Sequence, residues 1–335
     1  MKFIVMLITL LVWLNIISEL SIGVRQEADA IVAQDGSGDF TTIMGAISAA
    51  SNHSLKPYYI KIKKGIYLEY IRIKKWKPNI VLLGEGMDNT IISGNRSFGG
   101  GIKRYNTATI GVNGNNFTAL DITFRNDAGP KKQQAVAFRA EADYISFYRC
   151  RFEGYQDTLY TKSGKQFYRD CHILGTIDFI CGDATAIFQN CIIEVRAPMH
   201  KQYNTITAQK REDEGNPTGV VLQNCTIKSS SELGKNVTTY LGRPWGRFAR
   251  TVVMQSDIVL LIHPEGWIKF TNKPLIRPFY LEYNTRGAGA DTTRRVKWAN
   301  VTRDPKAASE FTVRNFIRGG SWIPSIVPYY LDLLS

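Results

Sequence analysis

A short cysteine-containing pattern recurs four times in the middle of the chain and constrains the fold more than any other feature. Its copies are Phe-Tyr-Arg-Cys at 147–150, Tyr-Arg-Asp-Cys at 168–171, Phe-Gln-Asn-Cys at 188–191 and Leu-Gln-Asn-Cys at 222–225. Each copy ends an alternating apolar segment with β-branched or aromatic residues, which is typical of a short strand. The cysteines are 21, 20 and 34 residues apart, so the first strands return about every 20 residues.

A strand-rich repeat of this length predicts a solenoid of stacked coils. Turns are expected at Gly154, Gly164, Gly175 and Gly182. A propeller blade would need about twice this period, so we expect an all-β fold, a single-stranded right-handed parallel β-helix. The 34-residue step is interpreted as one coil plus an excursion around 199–217.

Earlier segments extend the expected solenoid towards the N-terminus. Strands are predicted at 58–63, 80–83 and 118–124. Apolar residues at helical spacing predict a short helix over 41–51 that caps the N-terminal end of the stack. Because no linker is visible, one domain is expected over 30–335.

The N-terminal residues indicate export. The apolar run from Phe3 to Ile17 is shorter than the roughly 20 residues of a membrane span, so 1–23 is expected to be a removable signal peptide. A retained N-terminal anchor is the alternative. Secreted proteins carry N-glycans on Asn-x-Ser/Thr triplets, and Asn224, one of six such asparagines, is expected to be buried. The other five are the expected glycosylation sites: Asn52, Asn95, Asn116, Asn236 and Asn300.

The net charge of +13 and the pI near 9.5 imply a polyanionic partner. Charge alone allows nucleic acid, a membrane surface or an acidic polysaccharide. Export favours the polysaccharide, and the basic residues are spread along the chain without a nucleic-acid-binding motif. We therefore expect neither nucleic acid nor membrane as a partner.

Five cysteines in an exported chain leave one unpaired. Cysteines on successive coils would lie about 4.8 Å apart, which is within disulfide range. Cys191 with Cys225 is the expected pair. An interior ladder of free, packed thiols is the alternative.

Two aspartates are candidates for catalysis. Asp157 and Asp178 are 21 residues apart, one period of the repeat. On stacked coils their side chains would lie on one face roughly 5 Å apart, which suits one carboxylate as nucleophile and the other as proton donor. A lone Asp beside aromatic residues is more commonly a turn or cap, but the shared register favours a functional pair.

Two glutamines and an Arg-Pro-Trp turn complete the candidate site. Gln156 adjoins the first aspartate and Gln134 lies 22 residues before Gln156, so both amides could donate to an oxyanion. Arg243 could hold an aspartate ionised with bidentate geometry. Trp245 and Trp267 could stack on sugar rings. Alone, each glutamine could be an ordinary surface amide, and the arginine and the tryptophans could serve structural packing.

Several blocks in this order resemble the plant pectin methylesterase (pectinesterase) family. The blocks are Ala-Gln-Asp-Gly-Ser-Gly-Asp-Phe-Thr-Thr-Ile at 33–43, Gly-Ile-Tyr-Leu-Glu at 65–69, Gln-Ala-Val-Ala-Phe-Arg at 134–139, Ile-Thr-Ala-Gln-Lys-Arg at 206–211, Phe-Tyr-Leu-Glu-Tyr at 279–283 and Val-Lys-Trp at 296–298. The resemblance covers 31–334 and implies hydrolysis of methyl esters of homogalacturonan, the pectin backbone, in the cell wall. It implies no metal and no cofactor. The chain resembles the family's short form, which lacks an inhibitory pro-region. A proteinaceous inhibitor is a candidate partner.

The resemblance also implies residue roles. Asp178 would attack the ester carbonyl, and Asp157 would protonate the departing methanol and then activate water. Gln134 and Gln156 would bind the oxyanion. Arg243 would orient Asp178 and keep it ionised.

Two tryptophans and three departures from the family pattern complete these expectations. Trp245 and Trp267 would line the substrate cleft. Cys181 and Asp183 stand where Phe and Asn are common, and Asp183 is expected to raise the pKa values of the aspartate pair. Arg104 stands where a substrate-contacting Thr is frequent, and it is expected to attract free galacturonate carboxylates.

Other functions remain open at this point. A pectin-cleaving glycosidase or lyase would share the fold and the acidic polymer, but the glutamines would have no role in it. A catalytically impaired pectin-binding cell wall protein on the same scaffold is the stronger alternative. A monomer is expected, since capped solenoids need no partner to close their ends.

Overall fold

Three parallel sheets make up most of the described structure. The computed structural model describes residues 27–234, 236–260, 262–271 and 274–334. The expected signal peptide at 1–23 lies outside these residues. None of the helices in the described part of the chain is long and apolar enough to cross a membrane.

The strands are numbered in chain order and grouped here by sheet. Sheet 1 contains β1 (Ala30–Val32), β2 (Tyr58–Ile62), β5 (Ile80–Leu83), β8 (Thr118–Leu120), β11 (Ile145–Tyr148), β14 (Lys165–Arg169), β17 (Thr185–Gln189), β20 (Gly219–Gln223), β23 (Arg250–Met254), β25 (Phe279–Tyr283) and β26 (Asn300–Thr302). Sheet 2 contains β4 (Ile71–Ile73), β7 (Ile110–Val112), β10 (Phe138–Glu141), β13 (Leu159–Ser163), β16 (Ile177–Gly182), β19 (Asn204–Gln209) and β22 (Thr239–Gly242). Sheet 3 contains β3 (Gly65–Tyr67), β6 (Thr90–Gly94), β9 (Thr123–Asn126), β12 (Arg151–Glu153), β15 (His172–Gly175), β18 (Ile192–Val195), β21 (Thr226–Ser229) and β24 (Asp257–Ile258).

The order of the strands confirms a parallel β-helix. From β2 to β24 the chain visits sheet 1, sheet 3 and sheet 2 in turn, so that each strand pairs with the third strand after it. β11, for example, pairs with β8 on one side and β14 on the other, both parallel. One coil of the helix is therefore one period of the sequence repeat.

The recurring cysteine pattern marks the turn from sheet 1 to sheet 3. The residue before each cysteine has a positive φ: 50° at Arg149, 50° at Asp170, 59° at Asn190 and 52° at Asn224. Asn and Asp adopt this left-handed conformation more readily than most residues. The Asn224 amide donates to Oδ1 of Asn190 at 3.2 Å, which links successive turns. The pattern thus encodes one left-handed residue followed by one buried residue.

The predicted disulfide between Cys191 and Cys225 is wrong, because all five cysteines are free and buried. Parallel side chains on neighbouring coils keep their Cβ atoms near the strand spacing of about 4.8 Å, whereas a disulfide needs about 3.8 Å. The thiols instead contact main-chain carbonyls: Cys225 Sγ lies 3.3 Å from the oxygen of Phe188 and Cys191 Sγ lies 3.5 Å from that of Tyr168. The structure has the interior ladder of thiols.

Aromatic side chains stack along the inside of the coils. The ring of Tyr168 is stacked between Phe147, at 4.8 Å, and Phe188, at 4.2 Å. All three rings are fully buried. Each such pair contributes about 0.5–1.5 kcal/mol beyond the burial of its area. Successive coils are therefore held in register by identical positions of the repeat.

The short helices lie at the ends and in the loops of the stack. They are α1 (Ile43–Ala49), α2 (Arg104–Thr107), α3 (Pro305–Ser309), three 3-10 turns (Phe98–Gly100, Pro130–Lys132, Gly319–Ser321) and one π-helical turn (Val313–Ile317). The expected capping helix is confirmed as α1. Its amide at Gly45 donates to the Thr42 hydroxyl at 3.2 Å, and Ile47 is among its buried residues.

Two strand assignments differ from expectation. The segment 118–124 is divided between β8 and β9, because Asp121 has a φ of 60° and turns the chain from sheet 1 to sheet 3. The expected excursion at 199–217 contains β19, so the 34-residue step is a complete coil whose connections on both sides of β19 are long.

The C-terminal segment covers the outside of sheet 1. Three glutamines on successive coils donate side-chain amide hydrogens to its carbonyls: Gln189 to Tyr330 at 2.9 Å, Gln223 to Asp332 at 3.0 Å and Gln255 to Leu334 at 2.6 Å. Sheet 2 is left free of this segment and carries the candidate site.

Candidate active site

The two candidate aspartates lie on neighbouring coils of sheet 2. Leu159 of β13 pairs with Ile180 of β16, an offset of 21 residues that is the same as that between Asp157 and Asp178. Adjacent strands are about 4.8 Å apart, so the register places the two residues side by side. Their φ values are 62° and 52°. Such left-handed residues cost roughly 1–3 kcal/mol and concentrate at functional sites.

The side-chain oxygens of Asp178 accept three hydrogen bonds. Arg243 donates from Nε to Oδ1 at 2.8 Å and from Nη2 to Oδ2 at 2.7 Å. The hydroxyl of Thr205 donates to Oδ1 at 2.7 Å. A bidentate guanidinium fixes both the position and the ionised form of a carboxylate. The predicted pairing of Arg243 with Asp178 is present.

Thr205 is a site residue that the sequence did not reveal. Its Oγ1 also accepts the backbone N–H of Asp178 at 2.9 Å. This N–H is free to meet a side chain because the pairing of β16 with β19 is irregular between Ile177 and Ile180. The only signal in the sequence is the position of Thr205 on the next coil, and the long connection before β19 conceals that register.

The turn after β22 positions Arg243. A Cβ on Gly242 would lie 2.0 Å from the Thr207 hydroxyl oxygen, so only glycine allows this close approach of two coils. The backbone N–H of Arg243 donates to the carbonyl of Thr207 at 2.9 Å. The guanidinium also contacts the Tyr203 hydroxyl at 3.3 Å and lies 4.5 Å from the centre of the Phe270 ring.

Asp157 differs from Asp178 in its surroundings and therefore in its chemistry. It is only 2% exposed. Burial, with a smaller contribution from the charge of Asp178, raises the pKa of Asp157 to about 7, while Arg104 and Arg243 act in the opposite direction. A carboxyl group with such a pKa can donate a proton near neutral pH and accept one afterwards.

Arg104 contacts Asp157 and is partly exposed. Its Nη1 lies 3.2 Å from Oδ2 of Asp157. The guanidinium is 4.5 Å from the ring centre of Tyr160 and 4.4 Å from that of Trp245. The structure pairs Arg104 with the candidate proton donor, and the expectation that it also meets substrate carboxylates stays a prediction.

Gln134 and Gln156 lie on neighbouring coils, and Gln156 directly precedes Asp157 in the chain. The backbone N–H of Ala135 donates to the carbonyl of Gln156 at 3.1 Å, which ties the two segments together. Both side chains are half-buried. Within the described residues, Oε1 of Gln134 is buried without a hydrogen-bond partner. Amide groups placed in this way could donate to a developing oxyanion, which remains a prediction.

The two tryptophans have different environments. Trp245 is half-buried and contacts the guanidinium of Arg104, which in turn contacts Asp157. Trp267 is fully buried, packs on Tyr280 with ring centres 4.6 Å apart, and donates from Nε1 to Glu282 at 3.2 Å. The prediction that Trp267 lines a substrate cleft is wrong, because its side chain belongs to the core.

The substitutions at 181 and 183 lie close to the site in the sequence but have separate roles. Asp183 accepts hydrogen bonds from Thr218 at 2.5 Å and from Gln209 at 3.2 Å. It is not among the groups that shift the pKa of Asp157. The expectation that Asp183 raises the pKa values of the aspartate pair stays a prediction. Cys181 is buried, and burial raises the pKa of its thiol.

The five asparagines expected to carry glycans are exposed. These are Asn52, Asn95, Asn116, Asn236 and Asn300. Asn224 is half-buried in the turn between sheets 1 and 3. Among the described residues, no three His, Cys, Asp or Glu side chains are grouped so that they could hold a metal ion.

These features define a β-helix protein with a paired-aspartate site, in which one aspartate accepts a bidentate pair of hydrogen bonds from arginine and the other has a raised pKa. The sequence profile described as Pectinesterase matches residues 29–320. The chain belongs to the pectinesterase family.

Individual relatives agree with this assignment. Pectinesterase/pectinesterase inhibitor PPE8B of Prunus persica is 49% identical over 304 residues, which are 89% of this chain and 58% of that protein. The chain thus spans less than two thirds of this relative's length.

Solved structures agree as well. Pectin methylesterase from carrot is 42% identical, with a TM-score of 0.90, over 92% of this chain and 99% of that one, and confirms the right-handed parallel β-helix. A pectin methylesterase solved in complex with a hexasaccharide is 28% identical, with a TM-score of 0.74, over 90% of this chain and 99% of that one.

Proposed function

We propose that this protein is a pectin methylesterase that hydrolyses methyl esters of homogalacturonan to free galacturonate carboxylates and methanol. The observation that carries the proposal is the difference between the two aspartates. Asp178 accepts two hydrogen bonds from Arg243 as a carboxylate, and Asp157, on the adjacent coil, has a pKa raised to about 7 by burial. A nucleophile and a proton donor are thus available together near neutral pH.

The reaction would proceed in two halves. A carboxylate oxygen of Asp178 attacks the ester carbonyl carbon, and the side-chain amides of Gln134 and Gln156 donate to the resulting oxyanion. Collapse breaks the bond to the methoxy oxygen, which leaves as methanol with the proton of Asp157. The ionised Asp157 then takes a proton from water, and the hydroxide attacks the acyl group on Asp178. The bond to Asp178 then breaks and releases galacturonic acid, which loses its proton to solvent to become galacturonate, and both aspartates return to their starting forms.

The surroundings of the site support a polyanionic sugar substrate. Trp245 is half-buried and lies against Arg104, the partner of Asp157, which places an aromatic side chain near the aspartate pair. The net charge of +13 attracts a polymer of carboxylates. The structural relative with a bound hexasaccharide supports an oligosaccharide ligand on this scaffold.

The test is methanol release from highly methylated pectin by the purified protein, beside Asp178→Asn. The substitution keeps the size of the side chain and removes the nucleophilic carboxylate. We expect release by the wild type and its loss in the variant. Folded wild-type protein that releases no methanol from acidic to alkaline pH would favour the pectin-binding cell wall protein instead.

We further propose that the protein is secreted to the cell wall, is N-glycosylated and acts as a monomer. The exposure of all five expected asparagines supports glycosylation. A proteinaceous inhibitor is a candidate partner, since PPE8B is named as both pectinesterase and inhibitor. Mass spectrometry of the secreted protein and its mass in solution would check these points.

A further inference from the structure

An uncharged groove lies between the outer face of sheet 1 and the C-terminal segment. It encloses about 220 Å³, and none of the described residues that line it is charged. Tyr59, Val81 and Thr118, which pair in register on β2, β5 and β8, form one wall. Trp322 and Pro324 of the C-terminal segment form the other. The groove therefore suits a ligand with an apolar face better than an ion.

Asn116 lines this groove and begins the triplet Asn-Phe-Thr at 116–118. Its side chain is exposed and takes part in none of the hydrogen bonds found among the described residues. Asn79 has the equivalent position on the preceding coil, with a φ of 60° against 58°, but its side-chain amide donates to the carbonyl of Ser54 at 2.7 Å. The amide nitrogen of Asn116 is thus available to carry a sugar.

Two aromatic residues line the groove together with Asn116. Tyr144 has the equivalent position on the following coil, and the backbone N–H of Asn116 donates to the carbonyl of Asp143 at 3.0 Å, so the two turns are in contact. Tyr144 is 37% exposed, and its ring centre lies 5.5 Å from that of Trp322 with 47° between the planes. Neighbouring coils are about 4.8 Å apart, so a group attached to the asparagine reaches this pair of rings.

The two rings present a preformed surface for the sugar that begins an N-glycan. This sugar is N-acetylglucosamine, and its ring has an apolar face of C–H groups beside an acetamide methyl. Trp322 is half-buried, and its Nε1 donates to the carbonyl of Ile317 at 2.9 Å, so its ring is already fixed. A fixed aromatic surface binds an apolar face with little loss of conformational freedom. The Thr118 hydroxyl is buried against that of Ser146 at 3.0 Å, so the sugar has to be attached before this strand folds.

We propose that this groove seats the first N-acetylglucosamine of an N-glycan on Asn116, packed against Tyr144 and Trp322. The inference rests on the proposed N-glycosylation and is independent of the esterase activity. One ring belongs to the coil that follows Asn116 and the other to the C-terminal segment, so the sugar joins the two. The glycan at Asn116 is thus a structural part of the fold, in contrast to a glycan that only extends into solvent.

The experiment measures how fast peptide-N-glycosidase releases each glycan from the folded protein secreted by a yeast host, with mass spectrometry of the peptides. Asn52, exposed in the turn after α1, is the reference site in the same molecule. The test variant is Tyr144→Gly, because glycine accepts the φ of 64° and removes one ring. The matched control is Lys201→Gly, the same change at another exposed left-handed residue, with a φ of 67°. Thermal unfolding of each variant establishes that it is folded.

We expect the glycan at Asn116 in the folded wild type to be released about three- to tenfold more slowly than that at Asn52, after each rate is divided by its rate in denatured protein. Tyr144→Gly should reduce this difference to about twofold or less, and Lys201→Gly should leave it unchanged.

Equal release at Asn116 and Asn52 would overturn the inference and leave the groove to another ligand. Slow release at Asn116 that persists in folded Tyr144→Gly would also overturn it. An unmodified Asn116 in a protein glycosylated at Asn52 would remove the seated sugar alone, whereas five unmodified asparagines would remove the proposed glycosylation as well. None of these results depends on methanol release, so the esterase is tested separately.

Discussion

Replacing Arg104 by methionine tests how the proton donor is tuned. Methionine retains most of the length of the side chain and its contact with Tyr160 and Trp245, but it removes a charge 3.2 Å from the carboxylate of Asp157. The two charged side chains are 26% and 3% exposed, so water screens the pair much less than a surface ion pair. Arg104→Met therefore isolates the electrostatic effect.

The expected magnitude follows from the pairing. An adjacent arginine lowers the pKa of an aspartate by about 1–3 units, so its removal should raise the pKa of Asp157 above the present value of about 7. A higher pKa keeps the proton donor protonated to higher pH. The alkaline limb of the profile of kcat/KM against pH should then move upward by about 1–3 pH units.

The assay is the initial rate of methanol release across pH, measured for wild type, Arg104→Met and Arg104→Lys. Lysine retains the positive charge, so its alkaline limb should stay near that of the wild type. An unmoved limb in folded Arg104→Met would refute the assignment of Arg104 as a determinant of proton affinity at Asp157.

Four further predictions concern the site and the core. Thr205→Val removes the charge-assisted hydrogen bond to Asp178, at 2.7 Å, and should lower kcat/KM by about 10- to 150-fold, whereas Thr205→Ser should retain most of the activity. Folding raises the pKa of Asp157, so its protonation stabilises the fold at acidic pH, and this stabilisation is lost as the pH rises through about 7. The melting temperature of wild type should therefore fall between pH 4 and pH 8, and that of Asp157→Asn should fall less. Glu282→Gln leaves the buried guanidinium of Arg295 without its carboxylate at 2.8 Å and should lower the free energy of unfolding by about 3–5 kcal/mol in urea titration. Thiol titration in denaturant should find five free thiols, and a count of three would restore a disulfide.

The sequence by itself determined the coil and the register. The repeat of about 20 residues predicts strands that stack in parallel, and the 21-residue separation of Asp157 and Asp178 predicts that they meet. These inferences succeed because strand pairing in a solenoid is local and periodic. The sequence also indicates the turns at Asn190 and Asn224, because a left-handed residue is required at the same place in each coil.

Only the tertiary structure decided where individual side chains point. Thr205 reaches Asp178 across an irregular coil, and Arg104 meets Asp157 from α2, a short helix outside the repeating strands. The disulfide of Cys191 and the cleft position of Trp267 were predicted from spacing and residue type. A thiol, however, needs a converging Cβ vector to form a disulfide, and an indole needs an exposed face to bind a sugar. Periodicity specifies the position of a residue along the coil, whereas packing against non-periodic segments determines its burial and its partners.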